Sequence, residues 1–481
     1  MGASKVVQSY IAGRFPLLSW VSATVALLWF FFSFNPTDLT LPFSPYDHKR
    51  VVQVGFVCLA VLMFCSKSYR LELGEIVNER ILITVWACSL LLIFTSSVVS
   101  DNPIHSLFAS LHWFLLSSIL CFGFYIARRE LVHVLLAGLL ILQSLMVLKA
   151  LLFLLFEVAL GDSLRAALLY PGVEHHRFFN QVQVFIVPLL YLWAVQTRFR
   201  KFAYFFLFAN LLLAFSGGAR GLLVGLIGGA VIAGFLLPHL RREVLNAGVV
   251  TLFAALAYLG LSLWVELGKN ADVLRAHTSG RLVIWQRLIE ALEPSHFVLG
   301  QGTESFSYHS FNRIEGHPHN SVLQFLYEWG LLATLGMIAA VGRILWLGWQ
   351  KARCAVDDRS HMVVTASLLV ALVSAAIYSL FSGVVVMPIP QTLFFLFLGL
   401  LWGAVKYDAA EVPEKKPVQI EKGLFRPEAI STSVITGVGL GAVLVVYVHF
   451  CGAYLAQQAG AQEEFRAPRF WAQGAQFRGL G

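Results

Sequence analysis

LVHVLLAGLLILQSLMVLKALLFLLF, residues 131–156, carries Lys149 as its only charged side chain. A helix of that length spans about 39 Å, and the hydrocarbon core of a bilayer is about 30 Å thick. Comparable apolar runs recur on both sides of it. Membrane spans are predicted at 17–34, 51–65, 81–99, 106–127, 131–156, 182–197, 202–216, 222–237, 246–265, 322–347, 363–384, 391–405 and 433–455. The predicted fold is all-α, a polytopic transmembrane helix bundle of about 12–13 spans. Composition agrees: of 481 residues 58% are hydrophobic and 13% charged, against about 25% charged in a soluble domain. The first run is followed by Asn35-Pro36-Thr37-Asp38 rather than a small-residue cleavage site, so it reads as a span and not a signal peptide.

With the N-terminus in the cytoplasm, alternate connections collect the basic residues. These are Lys5 and Arg14, Lys67, Arg70 and Arg80, Arg128 and Arg129, Arg198, Arg200 and Lys201, Arg241 and Arg242, Lys351, Arg353 and Arg359, and the run from Lys406 to Arg426. That asymmetry sets the topology. The net charge of +8 therefore reports orientation and contact with anionic membrane lipids, and does not call for nucleic acid. Cys58, Cys65, Cys88, Cys121, Cys354 and Cys451 lie in spans, beside them or in a cytoplasmic connection. They form neither a disulfide framework nor a metal-binding spacing.

The organisation that follows is an N-terminal transmembrane bundle (1–265), a periplasmic loop (266–321), further spans (322–405), a cytoplasmic linker (406–432), and a final span with a short periplasmic tail (433–481). The last span reads as a peripheral addition. In the loop, Ser279 can cap a helix opening at Arg281. Leu282, Trp285, Leu288, Ile289 and Leu292 then follow at helical spacing, and Pro294 ends the helix. An amphipathic helix beside a membrane lies in the interface, with Trp285 at headgroup level. Gly300-Gln301-Gly302-Thr303-Glu304-Ser305 then reads as a flexible turn.

Chemistry concentrates at the end of that loop, in His317-Pro318-His319-Asn320. The plain alternative is a helix start, with Asn320 as cap and the imidazoles solvated. Downstream, Gly330 precedes Leu331, Leu332 and Ala333. A His-Asn pair followed at this distance by Gly resembles the signature of the bacterial O-antigen ligase superfamily, which also includes O-antigen polymerases and protein O-oligosaccharyltransferases. Ala333 stands where the family usually has Gly, Thr or Tyr. Gly300-Gln301-Gly302, Ser216-Gly217-Gly218-Ala219-Arg220-Gly221 and Ser279-Gly280-Arg281 extend the resemblance over about residues 180–405 in order and topology.

The resemblance implies transfer of a glycan from undecaprenyl diphosphate to an acceptor hydroxyl on the periplasmic side of the inner membrane, with inversion and without metal or other cofactor. Ligation to lipid A–core is the leading expectation. Protein (pilin) O-oligosaccharyl transfer and O-antigen polymerisation share the donor and remain alternatives. A lipid-linked glycan transporter is the rival class, but its polar residues would gather at the bilayer midplane. His319 would activate the acceptor, because histidine alone has an unperturbed pKa near neutrality. Arg220 and Arg281 would neutralise the pyrophosphate. Arg281, in the first helical turn, adds to the positive end of the helix dipole. His317, Asn320, Glu304, Arg313 and Arg177 are candidates for binding donor or acceptor. Gly225 and Gly229, like Gly217 and Gly221, follow a small-xxx-small spacing that serves helix packing.

Overall fold

The computed structural model describes residues 17–35, 44–161, 169–170, 173, 176–264, 280–308, 316–354, 359–406, 441–449 and 451. Helices account for the secondary structure of these residues, with no strand among them. In chain order they are α1 (Leu17–Ser33), α2 (Pro45–Leu62), α3 (Lys67–Val77), α4 (Arg80–Val98), α5 (Pro103–Arg128), α6 (Val132–Leu160), α7 (His176–Pro188), α8 (Arg200–Ser216), α9 (Arg220–Leu236), α10 (Arg241–Ser262), α11 (Arg281–Glu290), α12 (Ser321–Cys354), α13 (Arg359–Ser379) and α14 (Pro388–Lys406). A further helix covers 441–449. Among the described residues nine helical segments are long and apolar enough to cross a membrane, and α1 and α9 are shorter apolar helices. The chain is a multi-pass membrane protein built as an all-α bundle.

Its centre is the pair α5 and α14. They approach so closely because glycines line the seam. A Cβ at Gly123 would overlap the Leu396 carbonyl oxygen, one at Gly399 the Leu120 carbonyl, and one at Gly403 the Phe124 carbonyl. In lipid, where helices gain little from hydrophobic burial, such backbone approach carries the packing. Gly399→Ala is expected to cost about 3 kcal/mol and to lower the apparent melting temperature in detergent. Gly55→Ala, with open space around the new methyl, should be neutral or slightly stabilising. Equal melting of the two variants would contradict this account. The α9–α13 seam repeats the device: an added Cβ at Gly225 would stand 2.8 Å from the Ser374 carbonyl, and one at Gly229 would overlap the Ser374 hydroxyl. Those two glycines pack helices as their spacing predicts. Gly217 and Gly221 divide, Gly217 closing α8 beside Tyr170 and Gly221 facing Tyr378.

Charge settles the two ends of the bundle. Arg128 pairs with Glu75 and Glu72, Arg129 with Glu72, and Lys406 with Glu79. This basic face gathers connections that the sequence assigns to the cytoplasm. The glutamates Glu72 and Glu75 arrive on α3, a helix where a plain loop was expected. Ser66 caps it by accepting from the Tyr69 N–H. The other end, the loop face, carries the starts of α2, α5, α9, α12 and α14.

Three differences from the predicted spans bear on the site. α2 begins at Pro45 rather than 51, because Ser44 accepts from the Asp47 N–H at 3.0 Å and Pro45 fits the first helical turn. The predicted span 363–384 ends at Ser379, and a turn follows that is apolar enough to escape hydropathy. The predicted span 182–197 starts at His176, and after Pro188 it passes through a π-helical turn, Leu189–Trp193. Proline lacks the N–H that a regular helix needs, and the wider turn accommodates it.

The final span is less peripheral than expected. Tyr447 is fully buried, its ring stacks on Phe108, and its hydroxyl lies 2.6 Å from His112 Nδ1 on α5.

Candidate functional site

Three helices begin at one place on the loop face, and each has an arginine in its first turn. Arg177 is the second residue of α7, Arg220 opens α9, and Arg281 opens α11. None of these first turns holds an acidic residue. The usual preference is the reverse, since a helix N-terminus carries about half a positive charge. Placing cations there opposes helix stability and concentrates positive potential, which suits an anion.

Tyr378, near the end of α13, marks where they meet. Its phenol lies in the electrostatic field of both Arg177 and Arg281. Its ring also faces the start of α9: a Cβ on Gly221, the residue after Arg220, would meet Tyr378 Cε2 at 2.8 Å. All three arginines are partly exposed, so the charges border an accessible space rather than sitting in the core.

The turn 380–387 forms the floor. Gln181 Nε2 donates to Ser382 Oγ at 2.9 Å, and Ser321 Oγ donates to the Ser382 carbonyl at 3.5 Å. From beneath, buried groups of α2 hold the turn. Arg50 donates to the Val386 carbonyl at 3.2 Å and Gln53 to the Pro388 carbonyl at 3.0 Å. Gln391 donates to the Val385 carbonyl at 3.0 Å. Arg50 also donates to Tyr46 at 3.0 Å and to Gln391 at 3.1 Å. A cation this deep is costly unless richly hydrogen-bonded, and here it fastens the floor to the bundle.

The histidines stand on that floor. The His317 ring lies against Gly383, where a Cβ would meet its Cε1 at 2.9 Å and its Nδ1 at 3.2 Å. His319 follows in the left-handed region, φ +58°, a conformation that costs a non-glycine residue about 1–3 kcal/mol. Its N–H donates to His317 Nδ1 at 3.2 Å, and the two rings meet edge to face at 4.2 Å. Both side chains are more than nine-tenths buried. Asn320 caps α12, its Oδ1 accepting the Leu323 N–H at 3.0 Å, which is the plain alternative that the sequence offered beside a binding role.

The loop helix closes the site from the side. Ile284 and Leu288 pack on Phe306 and Tyr327, with Leu292 and Leu323 beside them. Of the apolar stripe expected to lie in the membrane interface, Leu288 and Leu292 pack on protein, whereas Leu282 and Ile289 are 57% and 55% exposed. Trp285 is tied to protein: its Nε1 donates to the Pro318 carbonyl at 2.8 Å. Gly280, at φ +75°, occupies the N-cap without a side-chain cap, and Ser279 lies outside the described residues.

The Gly300–Ser305 turn is docked rather than loose. Gln301 N–H donates to the Tyr327 carbonyl at 3.0 Å and Gly302 N–H to the Glu328 carbonyl at 2.9 Å. Gly330 breaks α12 at φ +78°, ψ 176°, and a Cβ on Gly300 would lie 2.5 Å from the Gly330 nitrogen. Glu304 is buried on the α5 side, at φ +68° and 3.4 Å from His105. Arg313 lies outside the described residues.

Tyr378, Ser382, Gly383, Lys49 and Arg50 escaped the sequence reading. The first three sat inside a predicted span. Lys49 and Arg50 preceded one, and the Ser44-Pro45 helix start would have placed them on α2. Lys49 lies 5.5 Å over the Phe178 ring, which places it beside the Arg177 corner of the site.

Together these groups can neutralise a multiply charged phosphate ester and take up a proton at an imidazole. No curated protein matches the chain significantly. Residues 202–338 match the profile of the O-antigen ligase family, a stretch that includes Arg220, Arg281, both histidines and Gly330. That match supports membership of the O-antigen ligase and polymerase superfamily, whose members are membrane glycosyltransferases.

Proposed function

We propose that the protein transfers a glycan from undecaprenyl diphosphate to a hydroxyl of lipid A–core, on the periplasmic side of the inner membrane. The carrying observation is the meeting of Arg177, Arg281 and the start of α9 around Tyr378, beside the turn on which His317 rests. The loop face is then periplasmic, since the opposite face holds the basic connections.

In this reading the arginines grip the diphosphate, and His319 accepts the acceptor hydroxyl proton. The acceptor oxygen attacks the anomeric carbon from the side opposite the leaving group. The bond from that carbon to the diphosphate oxygen breaks, and its electron pair leaves with undecaprenyl diphosphate. Configuration inverts, and neither metal nor cofactor enters. The apolar cavity of about 320 Å³ between α9, α12 and α13, lined by Ile232, Leu236, Trp346 and Leu369, suits part of a polyprenyl tail.

Deletion of the gene should abolish the O-antigen ladder of lipopolysaccharide, and the wild-type gene should restore it. Collapse to single-repeat bands would favour a polymerase. An intact ladder with loss of glycan mass from a pilin would favour a protein acceptor. Arg281→Lys keeps the charge but loses the bidentate fork, so transfer should slow about tenfold, and Arg281→Gln should slow it about a hundredfold. Equal rates for the two variants would contradict recognition by a fork.

A further inference from the structure

His319 is expected to act through its side chain, yet its backbone is held in a conformation few residues adopt. The flanks are fixed by other elements. Trp285 holds the Pro318 carbonyl, and the Asn320 cap together with Ser321 anchors the start of α12. At the residue itself, its own N–H donates to His317 Nδ1 at 3.2 Å. We propose that His317 is a positioning residue: its Nδ1 accepts the His319 N–H and holds His319 in the left-handed conformation that sets the direction of its imidazole.

This rests on the functional reading above and deepens it. An N–H donor requires a lone pair at Nδ1, so His317 works as the neutral imidazole with its proton on Nε2. A protonated ring has no acceptor to offer. The edge that carries Nδ1 and Cε1 faces Gly383, close enough that an added methyl there would collide with it. A side-chain acceptor that takes the N–H two residues ahead is the geometry of an Asx turn. Asparagine at 317 would therefore supply the same bond from Oδ1. Phenylalanine would keep a ring against Gly383 and supply none.

The experiment compares wild type, His317→Asn, His317→Phe and Gly383→Ala. Each is purified in nanodiscs and assayed with undecaprenyl-diphosphate-linked O-antigen and lipid A–core from the host strain. The expected result is a kcat about a hundredfold lower for His317→Phe, the scale of a misplacement of about 1 Å, with the donor KM nearly unchanged. His317→Asn should recover most of that loss, and Gly383→Ala should fall between. Wild-type activity in His317→Phe, or no advantage of Asn over Phe, would overturn the proposal.

A cryo-EM structure of His317→Phe supplies a readout independent of activity. His319 should leave the positive-φ region, and its retention there would overturn the proposal whatever the rates. Failure of the wild-type protein to transfer glycan would instead remove the functional reading. The conformational role of His317 would then stand or fall on that structure.

Discussion

His319→Ala should lower glycan transfer about a thousandfold, the middle of the range for loss of a general base. The acceptor hydroxyl is a weak nucleophile until its proton has somewhere to go. Imidazole meets that need because its unperturbed pKa lies near neutral pH. The arginines cannot substitute, since guanidinium stays protonated in proteins. Alanine at φ +58° carries a conformational penalty that could be mistaken for a chemical one. His319→Asn separates the two, because asparagine tolerates that region. His319→Asn should keep an apparent melting temperature near wild type, and both variants should transfer almost nothing. Transfer within tenfold of wild type in either one would remove His319 from the mechanism.

Gly330→Ala should cost more than about 3 kcal/mol, beyond the top of the usual range for a single substitution. The residue combines φ +78° with ψ 176°, a region essentially reserved for glycine. An added Cβ there would overlap the Val298 carbonyl. The two glycines interlock, Gly300 meeting the backbone of Trp329 and Gly330 as Gly330 meets Val298. Separating them strains the bonds from Gln301 and Gly302 to the Tyr327 and Glu328 carbonyls, and with them the seat of the loop helix. Purified yield and melting temperature should both fall. Gly342→Ala, in the same helix and with open space around it, should leave both unchanged or slightly raised. Similar melting of the two variants would contradict the interlock.

The membrane fold was legible because lipid imposes long apolar runs, and nearly every helix follows one. Asn320 as a cap and Gly225 and Gly229 as packing positions were legible for similar reasons, since each rests on local chemistry. The interlock was not. Gly300 and Gly330 are both visible as glycines, but nothing local tells that each is shaped by the other across the loop. Hydropathy also concealed the turn 380–387. Leu380, Phe381, Val384, Val385, Val386 and Met387 extend the apolar run past the helix end, although Gly383 supports His317. Charge misled differently at Arg50. A cation outside a predicted span reads as solvated, and only α2 starting at Pro45 carries it into the bundle. Trp285 likewise has the composition of a lipid anchor, and the nearby Pro318 carbonyl gives its indole N–H a protein partner.

Tyr447 has a consequence for biosynthesis. A chain is made from its N-terminus, so α2 and α5 enter the membrane long before residue 447 leaves the ribosome. Until it arrives, His112 lacks its 2.6 Å partner, and the wall beside Arg50 lacks the ring that stacks on Phe108 and His112. Polar groups left uncovered in lipid are costly. The helix that carries Tyr447 therefore covers His112 and the wall beside Arg50 only after α1 to α14 have been made, and a nascent chain stopped short of it holds a bundle whose loop-face end is not yet sealed.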